Sequence, residues 1–555
     1  MKKITILLLA ITFYTASYSQ TPLPNQLQEF LAAIDNCLLT NPVDGLCTNS
    51  QYGEMPDWDV SSVTDMQQAF ANKENFNADI SQWNVSNVSI MRNMFFGAHS
   101  FNQDITGWNT ANVSVMDQMF YEAYVFNQSI GTWDTSNVID MYYMFYEASA
   151  FDGDISSWNV SNVTNMASMF NGASSFNQPI GSWQTNSVAN MEKMFNSATS
   201  FNQSLNDWDT SSVTNMQAMF NNASVFNQSL NGWDTSNVVN MIKVFYEASA
   251  FDGDISNWDT SNVSDMRSLF RGASVFNGDI GSWDVSNVSI MRNMFFGAHS
   301  FNQQLNDWDT SNVTIMLDMF AGASAFNQSL NDWDTSNVTS MYGMFAEASI
   351  FNGDITDWDV SSVTDMTYMF FRANNFNQPL NDWDIGNVIY TTNMFAEASA
   401  FNGDISSWDI SSVTNMGSMF SLSGFSTNNY DAILNSWSQQ DVQSGVTLGA
   451  AGINYCNGAD ARQSLEDNNG WIITDAGLDC STASIDDQNQ LDISIYPNPT
   501  SDIVYIDGNY TQLKVIIYNV LGKEILNKSI TNSIDISHLD NGVYILQLSD
   551  GVKLS

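Results

Sequence analysis

The residues of this sequence best equipped for chemistry are carboxylates, and they recur at a fixed interval. An Asp follows tryptophan at eleven positions, Asp59, Asp134 and Asp209 among them, with Asn at three more and Gln184 once. A second polar column follows phenylalanine: Asn77, Asn102, Asn127 and onward, with Asp152 and Asp252 as the variants. Carboxylates stacked at strand spacing, about 5 Å, repel one another unless a cation such as calcium neutralises them. The alternative is a ladder in which short polar side chains cap backbone groups at a corner, unit after unit. The free exchange with Asn and Gln favours the ladder. The D-x-D-x-D-G spacing of a calcium loop is absent. No cofactor is therefore expected, with calcium the one alternative.

Other catalytic equipment is sparse. His99 and His299 lie in a block, Asn87 to Gln103, that recurs unchanged at Asn287 to Gln303. A duplicated histidine is a poor candidate for a singular catalytic base. G-x-S-x-G, Walker A and H-E-x-x-H are all absent. Ser and Asp fall almost entirely in repeating columns, whereas catalysis needs a unique constellation. The expectation is a non-enzyme with no catalytic, cofactor or metal residues. Four cysteines permit three pairings; proximity in sequence favours Cys37 with Cys47 and Cys456 with Cys480, one pair near each end of the repeats. Without C-x-x-C, zinc is improbable.

The elements that must position these residues follow a comb. Fifteen tryptophans, Trp58 to Trp408, stand 25 residues apart. A period of this size signals a repeat array. In the unit around Trp158, Val163, Met166, Met169, Phe170 and Ala173 have the spacing of one face of a short helix. The Ile180 to Trp183 segment reads as a short strand. Residues 56–425 are thus expected to form an α/β solenoid of about fifteen coils, each a short strand plus a short helix, roughly 70 Å long at strand spacing. Residues 21–55, with the amphipathic run Gln26 to Ile34, read as an N-terminal cap. Residues 426–481 read as a C-terminal cap, and 482–490 as a polar linker. Residues 491–555 alternate apolar runs with turn residues, the pattern of a small all-β sandwich.

Residues 1–20 have the pattern of a signal peptide: Lys2 and Lys3, an apolar run, then small residues, with cleavage expected after Ser19 or Gln20. No later run approaches the length of a membrane span. Lys plus Arg is 15 against 59 Asp plus Glu, a net charge of −44. Such a surface repels nucleic acid and anionic lipid and suits cations or a basic partner. Variable positions are the short stretch before Trp and the tyrosines Tyr121, Tyr142, Tyr143, Tyr146, Tyr246 and Tyr342. They are either ligand contacts or half-buried packing.

The repeat V-T-x-M-x-x-M-F-x-x-A-x-x-F-N-x-x-I-x-x-W-D resembles that of BspA-type leucine-rich-repeat surface proteins of bacteria. The resemblance implies a leucine-rich-repeat-like fold and adhesion or protein–protein interaction at the cell surface through the solenoid face, without catalysis. A passive spacer rod and a glycan-binding module are the alternatives. The final domain resembles the type IX secretion sorting domain of Bacteroidota, through Tyr496, Pro497, Asn498, Pro499, then Gly522 and Lys523, then Gly542 and Tyr544. That implies the type IX machinery as a partner, a protein or glycan ligand outside the cell, and an address at the outer surface of a Gram-negative bacterium. Such domains usually continue into a last Lys-rich strand, whereas this sequence ends at Val552-Lys553-Leu554-Ser555. A truncated or weakened signal is the expectation there.

Overall fold

A computed structural model describes residues 22–48, 50–481, 493–496, 502–508, 512–520, 523–540 and 542–549. The expected signal peptide and its Ser19 and Gln20, the linker, and Pro497, Asn498, Pro499 and Gly522 lie outside these residues. The chain divides into two compact units: Met1–Ile453 with Asp460–Ala476, and Asn454–Ala459 with Gly477–Ser555.

In the first unit, residues 25 apart stack. The unit 151–175 shows how. The N–H groups of Met166, Ser168, Phe170 and Gly172 donate to the carbonyls of Asn190, Glu192, Met194 and Asn196 in the next unit. The alternate N–H groups, of Met169, Asn171 and Ala173, close turns on Met166, Ser168 and Phe170 within their own unit. Ala167 N–H donates to the Asn165 side chain. Every N–H in the run therefore has a partner, half of them along the stack, as a buried backbone requires.

This arrangement corrects the expected strand plus short helix. Among the described residues from 58 to 425 no helix and no multi-residue strand forms. Single parallel bridges, such as Asn165↔Asn190 and Asn190↔Asn215, fall in the segment expected to be helical, not in the segment before Trp. The physical reason is left-handed backbone. Ser168 (φ 55°) and Gly172 (φ 76°) interrupt the run, as Gln68 (φ 59°) and Asn72 (φ 57°) do in the first unit. A helix cannot pass through such residues, which cost roughly 1–2 kcal/mol each when they carry a Cβ. Their N–H groups point at the neighbouring unit instead, and that ladder offsets the strain.

The apolar columns fill the inside. The columns that begin at Trp58, Val63, Met66, Phe70 and Phe76 are buried throughout. Phe170 lies 3.9 Å from Phe176, which opens the next unit, and 5.7 Å from its own counterparts Phe145 and Phe195. Each tryptophan from Trp83 to Trp408 donates its indole N–H to the carbonyl 28 residues back. Trp158 reaches Ile130 O at 2.9 Å and Trp333 reaches Leu305 O at 2.7 Å. A buried indole is thereby both stacked and hydrogen-bonded.

Both ends are closed. Helix α1, Leu27–Leu38, buries Phe30 and Ile34 against the first unit, where the Phe30 ring meets the Trp83 edge at 6.4 Å. A disulfide joins Cys37 to Cys47, with Cα atoms 5.2 Å apart. At the other end lie α2 (Thr427–Trp437), β1 (Thr447–Tyr455), α3 (Ala459–Asn469) and β2 (Ile472–Leu478). Strand β1 finishes the ladder, its Thr447, Gly449 and Ala451 carbonyls accepting the N–H groups of Met416, Phe420 and Leu422. Cys456 and Cys480 form the second disulfide, Cα to Cα 5.0 Å. Both belong to the second compact unit.

The second unit holds strands β3 (Ile493–Tyr496), β4 (Ile503–Gly508), β5 (Leu513–Asn519), β6 (Glu524–Ile530), β7 (Ser533–Asp535) and β8 (Tyr544–Ser549). They form two three-stranded antiparallel sheets, β3-β4-β7 and β6-β5-β8. Val504, Ile506 and Ile534 from one sheet share a core with Leu513, Val515, Ile517, Ile530 and Leu548 from the other. The period-2 burial of β5 follows from the pleat.

Candidate interaction face of the array

The two polar columns do different work. The side-chain oxygen after Phe accepts the N–H of its counterpart one unit on. These bonds run unbroken from Asn102 on Asn77 to Ser426 on Asn402. The Asp after Trp stays within its own unit. Asp134 accepts the N–H of Ser136 at 3.0 Å and its hydroxyl at 2.6 Å, and Asp234 and Asp309 repeat this with Ser236 and Ser311. These carboxylates are spent on turns.

Those turns make a pH prediction. Ser hydroxyl and backbone N–H bonds hold Asp59, Asp134, Asp234, Asp284 and Asp309 below the usual carboxylate range. A lowered folded pKa contributes stability that is present above the unfolded value, about 3.9, and lost as pH falls through the folded one. Burial raises Asp140 and Asp318, which act in the opposite sense. Acidification also relieves the repulsion of a −44 chain. In high salt, which screens that repulsion, the melting temperature should fall steadily from pH 5 to pH 3. A rise over that window in high salt would show that repulsion outweighs the turn bonds.

Variation concentrates on the turn run. Position 71 and its counterparts every 25 residues read Ala71, Phe96, Tyr121, Tyr146, Asn171, Asn196, Asn221, Tyr246, Arg271, Phe296, Ala321, Ala346, Phe371, Ala396 and Ser421. Phe96, Tyr121 and Tyr146 stack at 4.4 Å in a ladder of half-buried rings. Tyr143 packs on Tyr121 at 5.9 Å and on Tyr146 at 5.0 Å, and Tyr142 meets Tyr143 edge-on at 4.0 Å. Burial, then the neighbouring Tyr146 and Glu122, pushes the Tyr121 phenol up to about 12. The hydrogen bond to Tyr143, then burial, pushes Tyr142 up to about 12. Both phenols are donors, never phenolates, at neutral pH.

Two further aromatic groups lie on the same turn run. Arg271 places its guanidinium 5.6 Å from the Tyr246 ring centre and 4.3 Å from that of Phe296, while Lys243 lies 5.2 Å from Tyr246. Tyr342, Tyr368 and Phe371 form the last group, with Arg372 4.7 Å from the Phe371 ring centre and paired to Glu347 and Glu397. All six tyrosines singled out from sequence are half-buried on this face. Sequence reasoning passed over Phe96, Arg271, Phe296, Tyr368, Phe371 and Arg372. Aligning the units at position 71 finds Phe96, Arg271, Phe296 and Phe371; Tyr368 and Arg372 fall on positions 68 and 72 of the same run.

Of the residues named for sorting, Tyr496 is half exposed and its ring lies 5.9 Å from Tyr505. Lys523 N–H donates to the Asn519 side chain, Asn519 N–H donates to the Lys523 carbonyl, and the Tyr544 hydroxyl donates to Asp540 O. Gly542 lies two residues before Tyr544. Among the described residues no helix is long and apolar enough to cross a membrane.

No curated protein matches the chain. Residues 494–555 match the model of a secretion system C-terminal sorting domain, a tail that directs a protein to the cell surface or beyond it. Residues 45–155, 126–233, 225–333 and 325–437 match the model of a family described as Mycoplasma protein of unknown function, DUF285. Each match spans about four of the stacked units, and together they cover well over half of the 555 residues. With a sorting tail behind its stacked repeats, the chain belongs to the DUF285 family.

Proposed function

We propose that this chain is a non-catalytic binding protein of the cell surface, exported by the type IX route that its tail resembles. In this reading the array is a solenoid of the BspA-type leucine-rich-repeat class, and its turn face carries adhesion or protein–protein contacts. The observation that supports it is the grouping of aromatic and Arg side chains on the variable turn run, positions 67 to 72 and their counterparts, of an otherwise uniform framework. Half-buried Tyr and Arg are the residues that dominate binding energy at interfaces. The rigid ladder beneath them needs no ordering when a partner arrives.

The test is binding of the purified chain to a panel of matrix proteins and glycans. A saturable partner is expected. The double variant Tyr121→Ala, Tyr146→Ala should weaken it about tenfold or more. No saturable ligand across the panel would favour the passive spacer rod. Turnover of any panel member would sink the non-catalytic reading.

A further inference from the structure

The duplicated block offers an internal comparison. Residues 87–103 and 287–303 are identical. In the second copy, Arg271 of the preceding unit lies on the Phe296 ring, 4.3 Å from its centre. In the first copy the residue at that place is Ala71. One face of Phe96 stacks on Tyr121. The Phe96 side chain also lines a cavity of about 520 Å³, which Ala71 and Asn93 line with it and to which Leu31 and Asp35 of α1 add a wall. A neighbouring cavity of about 580 Å³ shares Asp35 and Lys73 with it. Lys73 is held by Asp35 at 2.6 Å.

The walls ask for a donor. Asn93 is half-buried, and its Oδ1 is buried without a hydrogen-bond partner. An unmet buried acceptor is costly, and a donor brought by a ligand removes that cost. Asp35 and Glu74 outnumber Lys73 around the two cavities. The whole chain, at −44, draws cations toward it. A planar guanidinium satisfies every one of these demands, since it stacks on a ring and donates from its edge. The array uses that group twice over its own rings, at Arg271 and Arg372.

We propose that the cleft between α1 and the first units takes an arginine side chain of a partner protein, its guanidinium lying on Phe96 where Arg271 lies on Phe296. The proposal rests on the binding reading above and names the chemistry of its partner.

The experiment is saturation-transfer NMR on the full chain with acetyl-Gly-Arg-Gly-amide, its Lys counterpart, and a set of neutral trisaccharides. The Arg peptide should bind, and the Lys peptide should bind about tenfold more weakly. Ala71→Arg rebuilds the self-capped second copy and should abolish binding at an unchanged melting temperature. Phe96→Leu, which keeps the packing without the ring, should weaken it about tenfold. An Arg peptide that does not bind, binds Ala71→Arg as well as the parent, or binds no better than the Lys peptide overturns the proposal. So does a trisaccharide signal that Ala71→Arg removes while the Arg peptide stays silent. A panel partner lost on Tyr121→Ala but indifferent to Ala71→Arg would sink this inference and leave the broader reading standing.

Discussion

Trp233→Ala should split the unfolding of the array into two transitions, with the central units lost first. The Trp233 side chain is 3% exposed. Its ring lies 6.3 Å from Trp208, 6.2 Å from Trp258 and 6.2 Å from Phe220. Its indole N–H donates to Leu205 O at 2.8 Å. Removing the ring costs roughly 3–5 kcal/mol for the buried volume. The Leu205 carbonyl keeps the Trp208 N–H and loses only the second of its two donors, which adds about 0.5–1.5 kcal/mol. In a globular core such a loss is spread over the whole. Here each unit touches only its neighbours, so stability is a sum over units and interfaces, and the loss stays local. Trp233→Phe is the companion variant. It keeps a ring in the stack and removes the N–H, so the difference between the two substitutions separates packing from the hydrogen bond. Calorimetry and urea unfolding monitored by circular dichroism read both. A single transition with an unshifted midpoint in Trp233→Ala would refute the nearest-neighbour account of this array.

The period, the buried columns and the closed ends were legible in the sequence because burial selects residue type directly. Trp, Phe, Met and Val return every 25 residues, and each is inside. The local backbone was not legible. Met166, Met169, Phe170 and Ala173 have spacing that a helix and a run of overlapping turns share. Only φ distinguishes the two, and the left-handed positions carry residues such as Gln68, Tyr143, Lys193 and Asp318 more often than Gly. None of those side chains announces a positive φ. Tertiary hydrogen bonds along the stack enforce it instead. Strand β6 was passed over for a related reason. Its sequence, Glu524-Ile525-Leu526-Asn527-Lys528-Ser529-Ile530, is largely exposed at the edge of its sheet and lacks a clean alternation. The interaction face was half legible. The tyrosines stood out as variation, but Ala71 and Arg271 gain meaning only when the two copies of one block are compared in space.

Gly449→Ala should detach the cap that terminates the ladder. Gly449 belongs to β1 and exchanges two backbone hydrogen bonds with the last unit: its N–H donates to Met416 O at 3.0 Å, and its carbonyl accepts from Phe420 at 2.9 Å. A Cβ built on it would overlap the backbone N and Cα of Ser418. Backbone cannot step aside as a flexible side chain can, so β1 must move off. The N–H groups of Met416, Phe420 and Leu422 then lose the carbonyls of Thr447, Gly449 and Ala451. The cost is about 3 kcal/mol or more, since overpacking and orphaned donors add. A terminal unit without its cover exposes the face that interior units hide, so fraying should propagate inward from this end. Gly107→Ala is the control, because nothing lies within 4 Å of the Cβ it would add. It should leave stability within about 0.5 kcal/mol. Hydrogen exchange resolves the location: in Gly449→Ala the amides of Met416, Phe420 and Leu422 should lose protection while those of Met166, Ser168 and Phe170 keep theirs. Equal protection at both places would mean that the last unit stands without β1, and that closing the array is not what this cap is for.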